Sequence, residues 1–188
     1  MTESSNIAPT LLLAMPQMTD PNFHRTVILL CRHSEEGSLG FVINRPLEIE
    51  LSELLEMEEP IPEDAPLTAW QGGPVSPERG WLICRGDAEG EDVLNVCDGI
   101  YMSSSQAHLR EVLTGDPASC RPERSRLLLG YAGWGPGQLD EEMLASAWLT
   151  IPVDTDLVFK TPPDEAWERG IRSLGVDPVS IAPGPGIH

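Results

Sequence analysis

Four charged side chains stand next to turn-forming residues and could line one cleft: Asp20 before Pro21, Arg25, Arg45 before Pro46, and Arg79 before Gly80. Guanidinium forks around one carboxylate would hold a small anion or move a proton, because arginine offers a planar, permanently charged set of donors to carboxylate or phosphate. Each residue also has a plainer reading. Asp before Pro is a strong turn former, and Arg25 and Arg45 lie at strand ends, where one of the chain's many acids would pair with them. The turn and the internal ion pair are preferred.

Backbone groups offer a second kind of chemistry. Gly72-Gly73-Pro74 could aim N–H groups at an oxyanion, although a tight corner between strands explains the same residues more simply. Between Gly130 and Gly137 four glycines surround Trp134, with Tyr131 among them, and such density marks a tightly specified connection. The segment runs into a helix, whose N-terminus is a ready anion site. Asp140, Glu141 and Glu142 fill the first turn, however, and their carboxylates complement the dipole and repel a phosphate. Trp134 is then either packed beneath the turn or displayed as a contact anchor, and packing is preferred.

Primed nucleophiles and metal sets are missing from the pattern. Cys31 and His33 would share one face of a strand, but the thiol sits in the most apolar run, whereas reactive thiolates need exposure and positive surroundings. His24 and His108 have no partner at metal-ligand spacing, and Ser103 to Ser105 read as a helix cap. There is no Gly-x-Ser-x-Gly elbow, and proline and tryptophan break any dinucleotide-type glycine register. No catalytic residue, metal or cofactor is expected. Cys31, Cys84, Cys97 and Cys120 form no Cys-x-x-Cys pair and read as reduced thiols.

The elements that must position these residues follow from periodicity. Ile7–Met15 is a short apolar run ending at Pro16, Arg25–Arg32 is apolar on both faces, as a buried central strand is, and Leu39–Asn44 returns after a hairpin loop at 33–37. Leu51, Leu54 and Leu55 share a face of a short helix that stops before Pro60 and Pro62. Leu67–Gln71, Gly80–Arg85 and Val93–Met102 read as three strands of an antiparallel meander. Ser103 and Gln106 make a capping box for a helix ending near Gly115, and Arg126–Tyr131 is the next strand. Leu139 to Trp148 follow helical spacing, and Leu157–Phe159 is a last strand. Thr161 caps a final helix that buries Trp167, Ile171 and Leu174. The expected class is α+β, with a mostly antiparallel sheet and a few flanking short helices. Residues 1–175 are expected to form one globular domain, and 176–188, rich in proline and glycine, a flexible tail.

Charge excludes more than it suggests. The 188 residues carry a net charge of −18 and a single lysine, Lys160, and eight carboxylates without a basic residue crowd into 48–64. Nucleic-acid binding needs a basic face to displace counterions, so polyanions and anionic membranes are poor partners. The N-terminus lacks a basic region before an apolar run, and no stretch of about 18 apolar residues exists, so a cytoplasmic protein is expected.

Four motifs occur in order: Met15-Pro-Gln-Met-Thr-Asp-Pro-Asn-Phe23 with Arg25-Thr-Val; Gly40-Phe-Val-Ile-Asn-Arg-Pro46; Gly72-Gly-Pro-Val75 with Arg79-Gly80; and Gly130-Tyr-Ala-Gly-Trp-Gly-Pro-Gly-Gln-Leu139. In these the chain resembles the YqgE/AlgH family of bacterial proteins. The resemblance implies a compact α+β fold with a bent, branching, barrel-like sheet, in a family that has no established biochemical activity and carries an old transcription-regulator label. The net charge disfavours that label, and no helix-turn-helix with a basic second helix is present. The expected function is a non-enzymatic, protein-binding or regulatory module using the glycine-tryptophan segment and its neighbouring turns. The competing reading is an enzyme or small-anion binder built on the Asp20, Arg25, Arg45 and Arg79 groups.

Overall fold

The computed structural model describes residues 6–55, 61, 67–116 and 123–181. At its centre lie three adjacent strands, β1 (Thr10–Ala14), β2 (Val27–Ser34) and β3 (Gly37–Val42), hydrogen-bonded in the order β3-β2-β1. Their apolar runs serve two faces at once. Leu11, Leu13, Val27, Leu29 and Phe41 enter the main core cluster, whereas Leu12, Ala14, Ile28, Leu30 and Val42 enter a second cluster on the opposite face. A period of two does this automatically, since successive side chains point to opposite sides of a strand.

The sheet continues through β8 (Ser125–Trp134), β5 (Val75–Arg85), β7 (Ile100–Ser103) and β6 (Val93–Cys97), and ends on the other side with β9 (Trp148–Ile151) against β1. The eight strands curl into an antiparallel half-barrel, and β4 (Ala69–Gln71) branches off by pairing parallel with β8. The α+β class and the bent, branching sheet are as expected. The main core is closed by α4 (Thr155–Phe159) and α5 (Ala166–Ser173), which bury Phe159, Trp167 and Ile171. The Trp167 indole N–H donates to Ala14 O at 2.8 Å, fixing α5 on β1. The face opposite the main core carries a third cluster under α1 (Leu51–Leu54) and α2 (Gln106–Thr114).

Several elements differ from the expectation. Val93–Met102 is not one strand but the β6-β7 hairpin, turning at Asp98-Gly99, where Gly99 takes φ +84°. Asp-Gly between apolar runs is a strong hairpin signal. The piece at 67–71 does not join a meander but makes the parallel branch. Leu157–Phe159 is helical, because the Asp154 carboxylate accepts the Asp156 and Leu157 N–H groups at 2.9 and 3.2 Å, and three apolar residues in a row carry no period of their own. The helix at 139 ends at Leu144, so α3 is Gln138–Leu144, and Trp148 belongs to β9.

Strand β8 runs on through Trp134 rather than stopping at Tyr131. The cap of α2 is Ser105, whose hydroxyl accepts the His108 N–H, and not Ser103. Helix α5 starts after Glu165 rather than at Thr161, leaving Leu174 exposed. Part of the expected tail is ordered into α6 (Pro178–Ile181), and Val176 and Ile181 pack on the main core. Pro60, Pro62, Cys120 and residues 182–188 lie outside the described residues.

Candidate functional site

The loop from Met15 to Arg25 joins β1 to β2, and its exposed turn is held from several directions. Asp20 Oδ1 accepts the Asn22 N–H at 2.9 Å, and Asp20 O accepts from Phe23 and His24 N–H at 3.0 and 2.8 Å, the turn that the Asp-Pro pair predicts. Arg45 reaches across from the end of β3. Its Nη1 donates to Asn22 O at 2.7 Å and its Nη2 to His24 O at 3.0 Å, so the fork grips two carbonyls where an internal ion pair was expected. Burial lowers the Arg45 pKa, and the Asp20 charge acts against that shift. Next to it, Asn44 Oδ1 accepts the Val27 N–H at 2.9 Å while its Nδ2 donates to Arg25 O at 3.0 Å.

Arg25 itself has φ +53°, a left-handed conformation that costs a residue with a Cβ about 1–2 kcal/mol. Its guanidinium lies 4.7 Å above the Trp167 ring and pairs with Glu168 at 2.8 Å. Such strain persists only where surrounding contacts over-determine the backbone.

Phe23 couples this turn to the glycine-tryptophan segment. Its ring stacks on Trp134 at 6.5 Å and meets Trp148 edge-on at 5.8 Å, and the two indoles meet each other at 6.0 Å. Trp134 is only 6% exposed, so it is packed and is not a displayed anchor. Glu142 Oε2 accepts both indole N–H groups, from Trp134 at 2.9 Å and Trp148 at 2.8 Å, while Oε1 accepts from Gln138. Sequence reading had Glu142 as a dipole-complementing surface acid; only folding shows it to be the acceptor that satisfies two buried donors.

The same region holds a Ser-His-Asp set that no sequence motif announces. His33 Nδ1 lies 2.7 Å from Ser38 Oγ and Nε2 lies 3.3 Å from Asp140 Oδ1. The order from solvent inward is reversed for nucleophilic catalysis: Asp140 is 57% exposed, the His33 side chain 2%, and Ser38 is buried in β3 between β2 and β8. A serine nucleophile must meet its substrate at the open end, with free N–H donors beside it. Here the triad ties the hairpin to α3.

The remaining predicted residues are placed differently. A Cβ on Gly73 would strike the Tyr131 carbonyl and the Ala132 nitrogen, and one on Gly72 the Gly130 oxygen, so these glycines make the tight crossing over β8 and not an oxyanion cradle. Tyr131 is half-buried against the main core. Arg79 stacks on Trp81 at 4.7 Å, and among the described residues no hydrogen bond or ion pair joins it to the Asp20–Arg25 turn. Near it, a groove of about 770 Å³ lies between α2 and β5, floored by Leu82, Leu109 and Leu127. Sequence reading missed Arg126, which is buried, stacks on Trp70 at 4.0 Å, and donates to Ile43 O and Phe159 O, each at 3.0 Å. Burial pushes its pKa down to about 10, and pushes the Cys31 thiol up to about 12, far from a reactive thiolate.

A second loop adjoins the first. Gln17 Nε2 donates to Ser146 O at 3.1 Å and the Met15 N–H to Ala147 O at 2.9 Å, which sets the α3–β9 turn beside the 15–25 loop. Ser146 is also left-handed, at φ +57°. Around the junction Met18, Phe23 and Met143 are half-buried over the second cluster, and Leu144 stands out to solvent. Among the described residues, no helix is long and apolar enough to cross a membrane, and no three His, Cys, Asp or Glu side chains gather as a metal site.

The AlgH-like family model matches residues 11–179. The chain belongs to this family. A UPF0301 protein of Thioalkalivibrio sulfidiphilus is 37% identical over the full length of both chains, and one of Azoarcus is 40% identical over 94% of this chain and 93% of its own. The solution structure of the AlgH protein from Pseudomonas aeruginosa superposes with a TM-score of 0.77 at 35% identity, covering 100% of this chain and 98% of the other. A crystal structure from Corynebacterium diphtheriae, at 23% identity and TM-score 0.68 over 88% and 86% of the two chains, shares the fold. All four motifs of this AlgH-like chain fall inside the matched span.

Proposed function

We propose that this AlgH-like protein is a non-enzymatic, cytoplasmic protein-binding module whose recognition surface is the 15–25 loop with the adjoining 143–147 turn. One observation carries the reading: two touching, exposed loops each keep a non-glycine residue in the left-handed region, Arg25 and Ser146, and side chains from distant elements pin the 15–25 loop. Rigid, pre-formed loops lose little entropy on binding, which is what a recognition surface needs. The groups that could do chemistry are already occupied. Arg45, Asn44, His33 and Glu142 are all engaged by the protein's own backbone and side chains.

The test is an affinity capture from bacterial extract with wild-type protein and Arg25→Gly, which keeps the backbone conformation and removes the side chain. The expected outcome is at least one protein enriched by the wild type and lost with the variant, both proteins being equally folded. Identical capture by both overturns the reading.

A further inference from the structure

Leu144 is 87% exposed at the end of α3, the most exposed large apolar side chain among the described residues. Single exposed leucines are ordinary surface. This one has company: Met143 precedes it, Met18 and Phe23 lie half-buried across the junction fixed by the Gln17–Ser146 hydrogen bond, and all three pack on the same cluster beneath. Methionine is unbranched and polarisable, and adapts its shape to a partner.

On the α3 side of this apolar surface the charge is one-sided. Residues 135–147 contain Asp140, Glu141 and Glu142 and no basic residue, and Asp20 is exposed across the junction. The nearby cations are engaged, Arg45 on the Asn22 and His24 carbonyls and Arg25 on Glu168. A second copy of the chain would bring acid onto acid.

We infer that the Leu144–Met143–Met18–Phe23 surface docks a cationic amphipathic segment of another protein, whose apolar residue covers Leu144 while flanking Lys or Arg residues meet the Asp140, Glu141 and Asp20 carboxylates. This names the partner's chemistry for the surface proposed above and rests on that reading. Apolar contact at the centre and charge at the rim divide the work as interfaces commonly do, the first holding the complex and the second steering it.

The probe is a fluorescent amphipathic helical peptide of leucine and lysine, with a counterpart carrying glutamate in place of lysine. Anisotropy measures affinity, and amide chemical shifts of the full chain locate binding. The cationic peptide is expected to shift the amides of Gln17, Met18, Phe23, His24 and Leu144 to Ser146, and the acidic one to leave them unmoved. Leu144→Asp separates the two forces, because it adds a negative charge while deleting the apolar contact. Docking predicts binding at least about tenfold weaker. Pure electrostatic attraction predicts binding as tight or tighter, and that result overturns the inference, as do shifts confined to other acidic surfaces, equal binding of both peptides, or no binding at millimolar peptide. Arg25→Gly is run alongside. Peptide binding lost in Leu144→Asp and kept in Arg25→Gly upholds the patch and removes Arg25 from the recognition surface; the reverse pattern removes the patch alone.

Discussion

Two turns of this protein reach the left-handed region by opposite means. At Asp98-Gly99 the β6-β7 hairpin uses glycine, which enters that region at no steric cost. At Arg25 the loop between β1 and β2 places an arginine there and holds it with Asn44, Arg45 and Glu168. The first turn merely reverses a strand. The second also holds a guanidinium over the Trp167 ring and against Glu168, which glycine could not do.

The comparison breaks most readily at Arg45. Replacing it by Ala leaves the Asn22 and His24 carbonyls without their charged donors, and urea unfolding should show a loss of about 3 kcal/mol, from two charge-assisted bonds at about 1.5 kcal/mol each. Lysine cannot present a fork and should restore less than half. Unchanged stability in Arg45→Ala would mean that the loop does not depend on its clamp.

Gly99→Ala should cost about 1 kcal/mol from backbone strain alone, since the added Cβ would meet only Thr155 Cγ2 at an ordinary 3.6 Å. Arg25→Gly should change stability by less than about 0.5 kcal/mol, the relief of strain offsetting the loss of a solvent-exposed ion pair and ring contact. Opposite outcomes at these two positions would reverse the contrast between the turns.

The smallest effect concerns Asp156. Lys160 and Arg85 lie 3.2 and 3.0 Å from its carboxylate and lower its pKa below the usual carboxylate value. Its contribution to stability is therefore present above the unfolded-state pKa and disappears as pH falls through the folded one. Asp156→Asn should cost a little stability near pH 7, with the difference from wild type shrinking away as the pH falls below about 4; an equal loss at both pH values would show that the pairs do not set this dependence.

Much of the architecture was legible in the chain. Val27–Leu30 announces a buried strand because residues apolar on both faces have nowhere else to go, and the four motifs identify the family. The Leu157–Phe159 element was misread because three apolar residues fit either period, and the Asp154 cap decided for helix. At the candidate site, Asp20 was correctly a turn former and Trp134 correctly packed, while Arg45 was given the wrong class of acceptor. Backbone carbonyls are the same in every residue, so no composition or spacing marks the ones a guanidinium will meet.

By itself, then, the sequence determined most of the strands, the net negative charge and the places where the chain must turn tightly, since these depend on composition and on neighbours a few residues apart. Tertiary structure alone brought Glu142 to two indoles, His33 between Ser38 and Asp140, and the Met18 loop against the Leu144 turn. Those contacts join residues from five to more than a hundred positions apart. Which partner each side chain finds depends on how the curled sheet closes, and no local periodicity encodes that.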